Sequence, residues 1–241
     1  MRTDQPAYQM FDPTERAFLE RMFLGHPDIA ERFDEFLALP PQERFDRAHD
    51  ILQALPREGW KRREVKDPES VWDHLIELGH LVRQVELPRD LCGLTRTEAR
   101  QRLVAMALNH DIPEAIVKDF TPHCPIAPED KEQLERLAGR VIFESNPAAR
   151  GMIEEYCAQR TPLSHLLHDF DKLVAVQKAL QYEGIYPEKR GKLYEEFRGY
   201  AVARLKTDQG RNYAGRLERG ADEIRRAARK EFMEQRTGRE R

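Results

Sequence analysis

The chain is short of the features that would tie it to secretion, membranes or nucleic acid. Its three cysteines, Cys92, Cys124 and Cys157, are odd in number and far apart. None stands in Cys-x-x-Cys spacing, so neither a disulfide framework nor a structural zinc site is indicated. No apolar run approaches the length of a membrane span, and the opening stretch MRTDQPAYQMFDPTERAF has no signal-like apolar core. Positive charge is not in excess: 40 Lys and Arg face 43 Asp and Glu, for a net charge of −3. That balance argues against a general nucleic-acid binder but leaves room for a small anionic ligand held by a few arginines. Strand signals are also missing, with no period-two run, no Asn-Gly or Asp-Gly hairpin turn and no internal repeat. The expectation is a soluble protein of a reducing, cytoplasmic compartment, with no membrane and no nucleic-acid polymer as partner.

Helical spacing fills the gap left by strands, and 241 residues suffice for one well-filled core with extensions. Short helical pieces, split by Pro27 and Pro40-Pro41, reach about Leu55, and Pro56 to Ser70 reads as a loop rich in Arg, Lys and Pro. Asp67-Pro68 looks like an N-cap with proline at the first helical position. The helix it opens runs to about Val85, with Val71, Leu75, Leu78, Val82 and Val85 as its buried stripe. The next starts near Thr95 or Thr97 and ends near Asp111, because Pro113 disfavours helical geometry at Ile112. Pro122, Pro125 and Pro128 mark a loop. Further helices are expected from about Glu129 to Glu144, from Asn146-Pro147, from Thr161-Pro162 to about Glu183, and from about Glu188 to Leu205. The last stretch is so charged that a solvated helix fraying into a tail is expected. The fold class is all-α: an N-terminal helical extension over 1–43, a core domain over 44–207, and a charged C-terminal helix or tail over 208–241.

Three His-Asp dipeptides occur, at His49-Asp50, His110-Asp111 and His168-Asp169, so the dipeptide alone carries no information. What separates them is the company each keeps on apolar helix faces. His74 precedes Leu78 by one turn, His110 follows Leu103 and Ala107 at helical spacing, and Asp171 lies between Leu167 and Val174. A lone histidine of this kind is more often a satisfied core residue, and a lone aspartate a cap or ion pair. Three helices each aiming one metal-competent group inward is the less ordinary pattern, since an unpartnered buried carboxylate costs several kcal/mol. His49, His165 and His168 are read as surface or packing residues.

ESVWDH (Glu69 to His74), NHDIPE (Asn109 to Glu114) and DFDKLVAVQKALQYE (Asp169 to Glu183), in this order, resemble the three motifs of HD-domain metal-dependent phosphohydrolases. REGWKRR (Arg57 to Arg63) resembles the Arg-x-Gly-Trp-x-x-Arg element of the subgroup that contains the 5′-deoxynucleotidases. The likeness spans roughly residues 44 to 185 and implies that 44–207 is an HD phosphohydrolase domain.

It implies that His74, His110, Asp111 and Asp171 bind one divalent transition metal, and two imidazoles with two carboxylates suit manganese, cobalt, iron or zinc better than magnesium or calcium. It also implies that Glu114 is the general base or orienter of the attacking water. Arg57 and Arg63, with Arg63 at the subgroup's motif position, would bind the phosphate, and Trp60 would stack on a base. Asp119 matches an aspartate that contacts the sugar, although the family usually has glycine before it and Lys118 stands here. The plain alternatives are a first-turn glutamate, a solvated basic loop with a packed tryptophan, and a loop carboxylate. The implied activity is removal of phosphate from a small phosphate ester, a (deoxy)nucleoside 5′-monophosphate, by a homodimer. A nucleoside triphosphate substrate, or a non-catalytic metal- or nucleotide-binding module, stays open.

Overall fold

The computed structural model describes residues 2–121 and 124–239, with side chains to residue 235; Pro122, assigned above to a loop, lies outside the described residues with His123. The helices are α1 (Pro13–Gly25), α2 (Pro27–Ala38), α3 (Arg44–Ala54), α4 (Glu58–Lys61), α5 (Val71–Val82), α6 (Arg96–Asn109), α7 (Glu114–Val117), α8 (Pro128–Ile142), α9 (Pro147–Ala158), α10 (Pro162–Ile185), α11 (Leu193–Val202) and α12 (Asp208–Arg239). No strand occurs among the described residues, and a single bridge joins Pro56 to Ser70. No helix is long and apolar enough to cross a membrane. The protein is all-α, as the sequence leads one to expect.

The chain forms two compact units, one of residues 1–75 with 108–157, the other of residues 76–107 with 158–241. In the first, the N-terminal segment is built into the core. Rings of Tyr8, Phe11, Phe23 and Phe33 pack with centroids 5.3 to 6.4 Å apart, and Ile29, Phe33 and Phe36 share one apolar cluster with Ile112, Ile116, Val117, Leu134 and Leu137. Proline at N1 begins both α1 and α2, and Asp12 with Glu15 forms a capping box on α1.

Two starts differ from the sequence reading. α5 begins at Val71, not after Asp67-Pro68, because Ser70 and Asp73 cap it reciprocally: Ser70 Oγ accepts the Asp73 N–H at 3.0 Å and Asp73 Oδ2 accepts the Ser70 N–H at 3.0 Å. Arg57 and Val71 donate their N–H groups to Glu69 and Leu55, so residues 67–69 lie in the return path of the loop. α11 begins at Leu193, not near Glu188, because Gly191 takes φ +77° and ends a 3₁₀ turn over Pro187–Lys189. The stripe expected on α5, from Val71 to Val85, is buried throughout.

The second unit corrects the reading of the C-terminal segment. α12 is a packed helix, not a solvated one. Tyr213, Leu217, Ala221 and Ile224 recur at helical spacing and join Leu173, Val176 and Leu180 of α10 and Tyr194 and Ala201 of α11. The dense charge around them hides this stripe. Its start is fixed by Asp169, whose carboxylate accepts the Lys206 N–H at 2.9 Å, the Thr207 N–H at 2.7 Å and the Thr207 hydroxyl at 2.6 Å. A second anchor is Glu183, which accepts the Tyr194 N–H at 2.8 Å and two donors of Arg225 at 2.9 and 2.6 Å. Breaking such a buried pair from one side costs about 3–5 kcal/mol.

α10 and α12 approach most closely at Gly184, where an added Cβ would lie 2.9 Å from the Arg225 Cα and overlap its carbonyl oxygen. Backbone cannot step aside as a side chain can. Gly184→Ala is therefore expected to lose about 1–3 kcal/mol through overpacking, despite alanine's better helix propensity. Gly220→Ala, in open space on α12, is expected to gain about 1 kcal/mol. Urea denaturation midpoints measure both; the same sign for the two would contradict this packing.

Candidate metal centre

The polar residues inside the first unit converge on Asp111. α6 ends at Asn109, and Pro113 keeps its path from continuing, so His110 to Pro113 form a turn that carries the Asp111 side chain inward. The Ile112 and Glu114 amides close that turn on Asn109 and Asp111 at 3.2 and 3.0 Å. His110 Nε2 lies 3.2 Å from Asp111 Oδ1, and His74 Nε2, from the first turn of α5, lies 3.7 Å from Asp111 Oδ2. Both imidazoles are buried, with ring centres 5.8 Å apart, and the Tyr156 ring packs edge-on against His110 at 4.7 Å.

One donor atom from each of His74, His110, Asp111 and Asp171 lies within 4.8 Å of the other three. All four ligands expected from the sequence thus come together. Two imidazole nitrogens and two carboxylates are a donor set that fits a divalent cation.

Arg57 sits at this cluster, its Nη1 3.3 Å from Asp111 Oδ2. Glu114 is buried just behind. Burial pushes its carboxyl well above the usual carboxylate range, Asp111 and Asp119 push it further, and Lys131 and Arg57 pull it back. Its Oε2 has no hydrogen-bond partner among the described residues. Asp119 Oδ2 accepts the Glu58 N–H at 2.6 Å, so the loop carboxylate caps the first residue of α4, one residue after Arg57.

Trp60 is placed otherwise than expected. Trp60 is 1% exposed, and its indole N–H donates to Glu69 at 2.9 Å. A ring packed in the core cannot offer a face to a base, so the stacking role is withdrawn; Trp60 anchors the loop instead. Arg63 donates to the Gly59 carbonyl at 2.7 Å, bracing α4. The Arg57 guanidinium lies against Asp111. His49 lies on α3 against the Trp72 ring at 4.3 Å, and His168 precedes the Asp169 cap, in keeping with packing roles.

Sequence reasoning passed over Lys131 and Glu135 on α8. Their ion pair, at 3.3 Å, belongs to the same charged neighbourhood as Glu114, Asp111 and Asp119. The available signal was a lysine in the first turn of a helix, where the dipole disfavours a cation.

The model of the HD domain matches residues 49–210. This chain belongs to the HD-domain family. Among curated relatives, it is 34% identical to the 5′-deoxynucleotidase HDDC2 of Dictyostelium discoideum, over 55% of this chain and 72% of that protein. It is 30% identical to the 5′-deoxynucleotidase YBR242W of Saccharomyces cerevisiae, over 69% of each. The crystal structure of the PH0347 protein from Pyrococcus horikoshii OT3 superposes with a TM-score of 0.55 and 26% identity, covering 76% of this chain and 98% of that one.

Lys118 takes φ +73° and ψ 165°, a conformation that costs a residue with a side chain about 1–3 kcal/mol. Its ammonium pairs with Asp28, but both are half exposed, so that pair is worth about 0–1 kcal/mol. Strain outweighs the pair. Lys118→Gly is expected to raise stability by about 1 kcal/mol net of glycine's greater freedom when unfolded, whereas Lys118→Ala, which loses the pair and keeps the strain, should not. Thermal unfolding of the two variants checks this; a destabilised Lys118→Gly would contradict it.

Proposed function

We propose that this protein is a metal-dependent phosphohydrolase that removes the phosphate of nucleoside 5′-monophosphates, deoxy forms foremost. The observation that carries the reading is the convergence of His74, His110, Asp111 and Asp171 within 4.8 Å, in a family whose compared relatives are named 5′-deoxynucleotidases. These four residues would hold one ion of manganese, cobalt, iron or zinc, the metals suited to mixed nitrogen and oxygen donors. Such an ion supplies a Lewis acid for a phosphate oxygen and lowers the pKa of water. Three free cysteines support a reducing, cytoplasmic setting, the residues 44–207 carry the chemistry, and a homodimer is the assembly we favour by resemblance.

The chain's own groups then divide the work. Arg57, held beside Asp111, forks onto the phosphate oxygens and balances the charge that grows on them as the phosphorus is attacked. Glu114 takes the proton of the attacking water. Its burial and carboxylate neighbours raise its basicity toward the working pH, which is what a general base needs. As the bond from phosphorus to the 5′-oxygen breaks, the same carboxyl returns a proton to the leaving oxygen, giving nucleoside and inorganic phosphate. Asp119, one oxygen of which caps α4, keeps the other for a sugar hydroxyl.

Phosphate release from a panel of nucleoside mono- and triphosphates, ribo and deoxy, tests the reading; release from monophosphates is expected, and none from any member would overturn it. Glu114→Gln keeps size but cannot accept the proton, so kcat should fall by about 10²–10⁴ with KM nearly unchanged. A first-turn glutamate with no such role would cost only about 0.3–1 kcal/mol of stability and leave turnover at the wild-type level.

A further inference from the structure

Lys131 stands where a cation is unfavourable. It lies in the first turn of α8, against the positive end of the helix dipole. Two contacts hold it there. Its Nζ donates to the Phe120 carbonyl at 2.9 Å and pairs with Glu135 Oε1, one turn on, at 3.3 Å. Burial works against its charge, but Glu135, Glu114, Asp111 and Asp119 outweigh burial and raise its pKa above the ordinary lysine value.

Phe120 belongs to a strap of residues 118–121 that leaves α7. The strap begins at strained Lys118, φ +73°, so it is not held by its own backbone preference. Asp119, on the same strap, accepts the Glu58 N–H at 2.6 Å. Glu58 opens α4, and the residue before it, Arg57, reaches Asp111 at 3.3 Å. The contacts therefore run in series from α8 through the Phe120 carbonyl, Asp119 and Glu58 to Arg57.

We propose that Lys131 is a positioning residue: by gripping the Phe120 carbonyl it fixes the strap, and through Asp119 and α4 it sets the sugar and phosphate contacts of the substrate. The proposal rests on the nucleotidase reading for its substrate, but not for its mechanical part.

The test uses full-length wild-type protein, Lys131→Met, Lys131→Arg and the double variant Lys131→Met with Glu135→Gln. Methionine keeps the half-buried stem and removes the donor; the double variant also removes the carboxylate left without its cation. Amide hydrogen exchange should speed up about tenfold in residues 57–61 and 118–121 of both methionine variants, the worth of one charge-assisted hydrogen bond, while α9 and α11 keep wild-type rates. With 2′-deoxyadenosine 5′-monophosphate, KM should rise about tenfold with metal content unchanged. Arginine should restore both readouts. Exchange that is unchanged in those segments, or that rises evenly over the chain, overturns the proposal and leaves Lys131 a stability residue. Segmental loosening in the methionine variants, together with no phosphate release by the wild-type protein, would sink the nucleotidase reading alone.

Discussion

A carboxylate moved out of water needs a cation, and this constraint organises the first unit. Asp111 is half-buried, with imidazole nitrogens at 3.2 and 3.7 Å and a guanidinium at 3.3 Å. Glu114 and Asp119 add two more carboxyl groups near it, and Arg57 and Lys131 are the cations that act back on Glu114. Desolvation makes each unbalanced charge expensive. A divalent ion held by the four donor atoms would complete the balance.

The same dipeptide meets three fates in this chain, which shows where its chemistry comes from. His49-Asp50 lies on α3, its two side chains 3.6 Å apart, the histidine half-buried and the aspartate exposed. In His168-Asp169 the aspartate is the buried member and caps α12. Only His110-Asp111 stands at a helix end broken by proline, where a turn can aim both side chains at His74. Asp169 and Asp171, two residues apart on α10, thus serve different purposes: one holds a helix end, the other joins the donor set.

Much of this was legible beforehand, for reasons that can be named. The stripe on α5, the proline after α6 and the proline starts of α9 and α10 are local signals, and tertiary packing did not override them. His74, His110 and Asp171 stood out because polar groups on apolar faces are costly without a purpose; Asp111 was named by the HD-domain resemblance. Trp60 was misjudged because an indole beside arginines looks like a ligand platform; its burial depends on Glu69, a partner that spacing does not reveal. The packing of α12 was missed because four apolar positions in a charged helix give a weak average signal, although their spacing suits α10 and α11. Lys131 was missed because its partner is a backbone carbonyl, which leaves no trace in side-chain patterns.

We propose that His74, His110, Asp111 and Asp171 hold one metal ion. Metal content per chain, by mass spectrometry on protein purified without chelator, tests it most directly. The account predicts about one divalent transition metal per wild-type chain and loss of it in Asp171→Ala with the helical circular dichroism preserved. A folded Asp171→Ala protein that keeps its full metal content would contradict it.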